Sequence, residues 1–225
     1  MGSEIELELE AVRKPGSQSL LAYLGKMLSV MFYGLPRHPT NDSMAIVAHK
    51  GGVIFALDTR NAQLEYLFDY MFCIGPKSGV GRSIAVEIRA QLLPDRRGGI
   101  SNKELESRMK RALELIGARR REAVYAPIIL GGICNDQVLI FSFQIDGTVI
   151  SSSKYAAHGF NSDHILRAFD AAWRNAMSGG EAMKLLKDVM TANISKMPLL
   201  QKVLMMSSIA RASDGFDLKL CIEDM

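Results

Sequence analysis

The side chains best placed to do chemistry in this chain are four histidines, three cysteines and Asp58. His38, His49, His158 and His164 show no ligand spacing of the HExxH kind. His158 reads as a satisfied, partly buried side chain rather than a general base. Cys73, Cys134 and Cys221 each lie in an apolar, strand-like run, with no CxxC pair. Such surroundings raise a thiol's pKa and blunt its nucleophilicity, and an odd count of buried thiols suits a reducing compartment. Asp58 closes the apolar run Val53 to Leu57. With no partner group evident near it in sequence, it reads as a hydrogen-bonded carboxylate at a strand end. No metal site and no cofactor site is expected.

The elements that must hold these residues follow from the hydrophobic pattern. Ser43 to Arg60 (SMAIVAHKGGVIFALDTR) reads as two strands, Met44–His49 and Val53–Leu57, joined by Lys50-Gly51-Gly52. Their continuous apolar character predicts cover on both faces. Tyr66 to Ile74 reads as a third such run. A helix is predicted over 79–93, with Ile84, Ile88 and Leu92 on one face, ended by Pro94 and Gly98-Gly99. Ser101 to Glu104 forms a capping box for a second helix, with Leu105, Met109, Ala112, Leu113 and Ile116 inward. Arg119-Arg120-Arg121 near its end suits the helix dipole.

Strands are then predicted in Tyr125–Cys134, Gln137–Asp146, Thr148–Ser151 and Lys154–His158, with turns at Asn135-Asp136 and Asp146-Gly147. Asn161 or Ser162 caps a helix with Ile165, Leu166, Phe169, Ala172 and Trp173 inward. Ser178-Gly179-Gly180-Glu181 is a capping box for a helix with Met183, Leu186, Lys187 and Met190 inward, stopped by Pro198. Met197 to Met206 is apolar without a period, and Phe216 to Ile222 alternates as a half-buried strand. The order of strands, helix pair, strands, helix pair, strand predicts an α+β fold. Its architecture would be a four-layer αββα sandwich of two stacked antiparallel sheets. Residues 1–42 read as an N-terminal extension and 43–225 as one domain.

Bulk properties narrow the partners. The chain has 225 residues, 48% hydrophobic and 23% charged, an ordinary globular mixture. A net charge of +3 gives no reason to expect nucleic acid or an anionic membrane as partner. Ser19 to Leu35 carries Lys26 in its middle and reads as an amphipathic helix lying on protein rather than a membrane span. The acidic first ten residues do not resemble a secretory or mitochondrial leader.

Several of these motifs together resemble a beta-type subunit of the proteasome core particle, an N-terminal-nucleophile hydrolase fold. The opening hairpin ends in Asp58-Thr59-Arg60. Ile128-Ile129-Leu130-Gly131-Gly132, Gln144-Ile145-Asp146-Gly147, Tyr155-Ala156-Ala157-His158-Gly159-Phe160 and the helix pair through Trp173 and Glu181–Lys187 complete the likeness. The YAAHG run is most like the non-catalytic subunit in the fourth position of the beta ring. Active members use a Thr freed as a new N-terminus, whose own amine is the base.

The resemblance implies that Asp58 is the site Asp, and an ungapped count back from it falls on Asp42, which cannot be that nucleophile. Thr40 and Ser43 are out of register, no Gly-Thr processing pair stands before the first core strand, and 61–69 contains no lysine. Ala212-Ser213-Asp214-Gly215 resembles the family's Ser-Gly site loop, making Asp58, Ser213, Asp214 and Gly215 relict positions. Ser178-Gly179-Gly180 belongs to the loop between two helices. Met197 to Ala210 reads as an insertion. The resemblance implies a subunit inactive by itself within a threonine endopeptidase complex, cytoplasmic and nuclear, serving ubiquitin- and ATP-dependent degradation. Its partners would be the other beta subunits of a heptameric ring, the alpha ring, and unfolded polypeptide passing through the chamber. The rival readings are an active hydrolase cleaved before Ser43, and a stand-alone paralogue or assembly factor.

Overall fold

The computed structural model describes residues 5–9, 43–58, 62–68, 70–76, 128–134, 137–143, 149–159, 161–195, 203–212 and 215–224, with shorter helical stretches between 86 and 112. Two strands with no polar face start the core. Strand β2 (Ser43–His49) and strand β3 (Gly52–Asp58) are buried at every position and pair antiparallel from Met44↔Leu57 to His49↔Gly52. Gly51 in the connecting turn has φ of 90°, a left-handed conformation that glycine adopts without a Cβ penalty.

Strand β9 (Tyr155–Gly159) pairs with β2, and strand β10 (Val203–Ala212) with β3. Strand β11 (Gly215–Asp224) pairs with β10, and strand β1 (Ile5–Leu9) lies outermost on β11. The order of this six-stranded sheet is therefore β1-β11-β10-β3-β2-β9. The second sheet has five strands in the order β4-β5-β6-β7-β8. They are β4 (Ala62–Phe68), β5 (Tyr70–Pro76), β6 (Ile128–Cys134), β7 (Gln137–Phe143) and β8 (Val149–Ser152), each antiparallel to the next.

Alternation along β2 and β3 sorts the core into two layers. Met44, Ile46, Val53, Phe55 and Leu57 pack against Leu64, Phe72, Ile74, Ile129 and Ile140 of the second sheet. Phe55 and Phe72 meet across this interface, tilted at 58° with centroids 6.1 Å apart. Ala45, Val47, Ile54 and Ala56 face the other way, onto two helices. These are α1 (Ser162–Ala172) and α2 (Gly179–Ser195). On the second sheet, Cys73, Leu130, Phe141 and Phe143 are buried outside the inter-sheet cluster. Helical Ile88 and Ala112 are buried too, and Arg89 Nε donates to the Leu67 carbonyl at 3.0 Å, tying that helical stretch to β4. The architecture is an αββα sandwich of two antiparallel sheets.

Several expectations change here. Tyr66 to Ile74 is not one strand but parts of two, β4 and β5, which fold back on each other. Met197 to Ala210 is not simply an insertion, because Val203 onward is the core strand β10. Its lack of period has a cause: Leu204 and Met206 face the helices while Met205 and Ile209 face the other sheet, so both faces of the strand carry buried apolar residues. Asn161 caps α1 through its backbone, not its side chain: the Asn161 carbonyl accepts from the N–H groups of His164 and Ile165, at φ of 60°. Ala172 is exposed rather than inward, and in α2 the fully buried apolar positions are Ala182, Leu186, Met190 and Ile194, with Met183 and Lys187 half-buried.

The expected capping box of α2 is present. The Ser178 N–H and hydroxyl donate to Glu181 Oε2 at 2.8 and 2.9 Å, and the Glu181 N–H donates to Ser178 Oγ at 3.2 Å. These bonds hold the Glu181 carboxyl below its ordinary pKa. Glu104 lies in a helical stretch and pairs with Arg108, while Ser101 lies outside the described residues, as do Arg119–Arg121 and the run Ser19–Leu35. Among the described residues, no helix is long and apolar enough to cross a membrane.

The tightest seam between the sheets is at Gly131, where an added Cβ would lie 2.1 Å from Ile46 Cδ1. Gly131→Ala is expected to lower stability by about 1–3 kcal/mol through overpacking. Combining it with Ile46→Val, which removes that methyl, should recover part of the loss. Urea unfolding of the two single variants and the double variant checks the coupling.

Candidate functional site

The end of the sandwich where β2 begins carries a cluster of buried polar groups. Ser43 opens β2, pairs in register with Gly159 of β9, and is fully buried together with Asp58 at the end of β3. Both belong to the alternation that faces the helices. From α2, Asn193 Nδ2 donates to Ser43 Oγ at 2.9 Å across 150 residues of sequence. Asp58 is fully buried and partnered, as a strand-end carboxylate should be. A second pair closes the seam between the sheets. Ser142 of β7 and His158 of β9 share a buried hydrogen bond of 2.7 Å, Oγ to Nε2. Burial pushes the His158 imidazole down to about 4, so it is neutral near pH 7. It bridges two sheets, as a satisfied core histidine.

The opposite end of the first sheet is built differently. His49 is buried there, with Nδ1 3.1 Å from the Lys50 carbonyl and Gly179 of α2 beside the ring. Burial lowers the His49 pKa, and the Lys50 carbonyl opposes that shift. Lys50 N–H donates to the Met177 carbonyl at 2.7 Å, and Trp173 Nε1–H to the Ala48 carbonyl at 3.0 Å, locking the loop between the helices onto this turn. Tyr155 packs against Phe169 and Trp173 and donates to Asp170, which raises its pKa to about 12. Ser178-Gly179-Gly180 therefore belongs to a helix start.

Of the four positions expected to form a relict site, the two described, Asp58 and Gly215, do not come together. Asp58 is level with Leu204 on β10, whereas Gly215 pairs with Ala212 at the far end of that strand. Eight residues of strand separate the two levels, about 27 Å at the usual rise. Ser213 and Asp214 lie outside the described residues, but their flanks are the last pair of a hairpin. Likeness of local sequence to a Ser-Gly loop thus does not carry likeness of place. Continuing the β2–β3 register one step beyond Met44↔Leu57 brings Ser43 level with Asp58, and Asn193 reaches Ser43. Ser142 and Asn193 escaped the sequence reading, although Asn193 left a signal: it is a polar residue on the apolar stripe of Leu186, Met190 and Ile194. Cys73 is buried and its thiol pKa is raised by burial and by Glu65, as expected for an inert thiol. The side chains of Cys134 and Cys221, with His38, Thr40 and Asp42, lie outside the described residues. Among the described residues, no group of three or more His, Cys, Asp or Glu could hold a metal.

The fold, an αββα sandwich of two antiparallel sheets, is consistent with that of N-terminal-nucleophile hydrolases. A family model described as proteasome subunit matches residues 102–208. That span runs from the second predicted helix through most of β10, and includes the YAAHG strand, both helices and the glycine pair of β6. It leaves out the β2–β3 hairpin. The match is a likeness to proteasome subunits over a little under half of the chain. No curated protein matches it.

The depressed His158 pKa makes a pH prediction. Between the unfolded value near 6.5 and about 4 the unfolded chain binds more protons, so stability present above pH 6.5 is lost as pH falls toward 4. The His158 share of that loss is about 3 kcal/mol at 1.36 kcal/mol per unit. His158→Asn should flatten this part of the stability–pH curve and leave the smaller slope of His49. Urea midpoints measured from pH 4 to 7.5 check it.

Proposed function

We propose that the chain is a non-catalytic structural subunit of the proteasome core particle, in the beta ring and most like its fourth position. One observation carries the non-catalytic reading. Ser43, the hydroxyl nearest the start of the core, is the first residue of β2, fully buried and held by Asn193. A nucleophile of this chemistry needs a free amine beside an accessible hydroxyl. Here the hydroxyl is spent as an acceptor in a packed interface between β2 and α2. The stretch 61–69 also lacks the lysine that active members carry there. The family match supports a proteasome subunit without specifying the ring; the ring placement is supported by the likeness of the YAAHG run.

In this reading the sandwich serves as a rigid block. It would hold neighbouring Thr-protease subunits in register, contact the alpha ring, and wall the chamber through which unfolded polypeptide passes. Its cellular setting would be cytoplasm and nucleus, in ubiquitin- and ATP-dependent degradation. The buried methionines Met44, Met71, Met177, Met190, Met205 and Met206 serve the core.

Native mass spectrometry of particles isolated from the chain's own cells tests the placement. A core particle containing this chain alongside other alpha and beta subunits is expected. A monomer or small oligomer would bring forward the stand-alone paralogue or assembly factor. Treatment with a threonine-protease-directed electrophile tests the chemistry. No adduct is expected on this chain, whereas a mature chain starting at Ser43 and carrying the adduct would establish an active hydrolase. Asn193→Ala should cost about 1–3 kcal/mol by leaving the buried Ser43 hydroxyl without its donor, read as a lower urea midpoint.

A further inference from the structure

The outer edge of the six-stranded sheet is occupied by residues that precede the domain. Strand β1 pairs with β11 through five register positions, Ile5↔Ile222, Glu6↔Cys221, Leu7↔Leu220, Glu8↔Lys219 and Leu9↔Leu218. Among the described elements it makes its extended contact with β11 alone. Two features of sequence match across this pair. Apolar residues stand opposite apolar ones at Ile5, Leu7 and Leu9, and the acidic Glu8 stands opposite Lys219, the one cation of β11. Cross-strand pairs of this kind specify register.

The attachment is also short. Five residues paired along one edge make a marginal strand, because a single short ladder must offset the ordering of its backbone. Residues 10–42 lie between β1 and β2 in sequence, so pairing β1 with β11 closes a long stretch of chain at an entropic cost that its few ladder bonds must offset. An uncovered edge strand exposes a row of backbone donors and acceptors and accepts any extended chain of fitting pattern.

We infer that the outer edge of β11 is a strand-docking site, and that Ile5–Leu9 is its reversible, intramolecular occupant. The edge selects an extended segment that alternates apolar and acidic residues. The same segment of a second copy fits it once the chain's own is released. This inference does not depend on whether the chain is catalytic.

The test uses the full chain and a fluorescent synthetic peptide of residues 3–11. In an extended strand the N–H groups of neighbouring residues point to opposite sides, so of Leu7 and Glu8 one donates to β11. The double variant Leu7→Pro/Glu8→Pro therefore removes a ladder bond whichever residue makes it. Fluorescence anisotropy should show the peptide binding this variant at least about ten-fold more tightly than the wild type, whose tethered strand competes at high effective concentration. Adding Lys219→Glu should weaken peptide binding several-fold, and a peptide with Glu6 and Glu8 replaced by Lys should restore it. Hydrogen exchange supplies a second readout: in the double variant β11 should exchange faster while α2 is unchanged, showing an intact sandwich. Equal peptide binding by wild type and variant, no binding by the variant, or unchanged exchange in β11 would overturn the inference.

Discussion

Strands β2 and β3 have no face toward water, and this constraint governs the rest of the molecule. A strand buried on both sides must spend every backbone group in a ladder, which calls for neighbours on both edges; β9 and β10 supply them. It must also find a covering layer for each face. One cover is a second sheet and the other a pair of helices. The two layers of core thus arise from one property, the near-continuous apolar character of Met44–His49 and Val53–Leu57.

The same constraint decides what polar side chains can do inside. A hydroxyl or imidazole placed among these layers cannot reach solvent, so it must find a partner in the protein. Ser43 finds Asn193 across the sheet–helix interface, and Ser142 finds His158 across the sheet–sheet interface. Each bond ties β2 or its neighbour β9 to a different layer near the same end of the sandwich. The polar groups there act as fasteners between layers.

Much of this was legible in the chain. The β2–β3 hairpin showed in two apolar runs around Lys50-Gly51, and the start of α2 in the Ser178–Glu181 box, because both signals are local. The split between β4 and β5 was hidden, since the apolar run passes through the turn with only Asp69 to interrupt it. Strand β10 was hidden for a different reason: with both faces buried it has no alternation to read. Ala212–Gly215 misled, because a short Ser-Asp-Gly stretch fits a site loop and a hairpin end equally well.

The sequence by itself determined the elements whose cause lies within a few residues: the buried strand pair, the helix pair and the capping box. Together with the family's motifs it also determined the sandwich architecture. Only the tertiary structure decided which polar residues meet. Ser43 and Asn193 are 150 residues apart, and Asp58 and Gly215 are parted by strand register although motif likeness had joined them. Likewise the pairing of β1 with the last strand joins the two ends of the chain. Local patterns record what a residue's immediate backbone requires; contact between distant residues depends on sheet order and register, which are set by the packing of the whole.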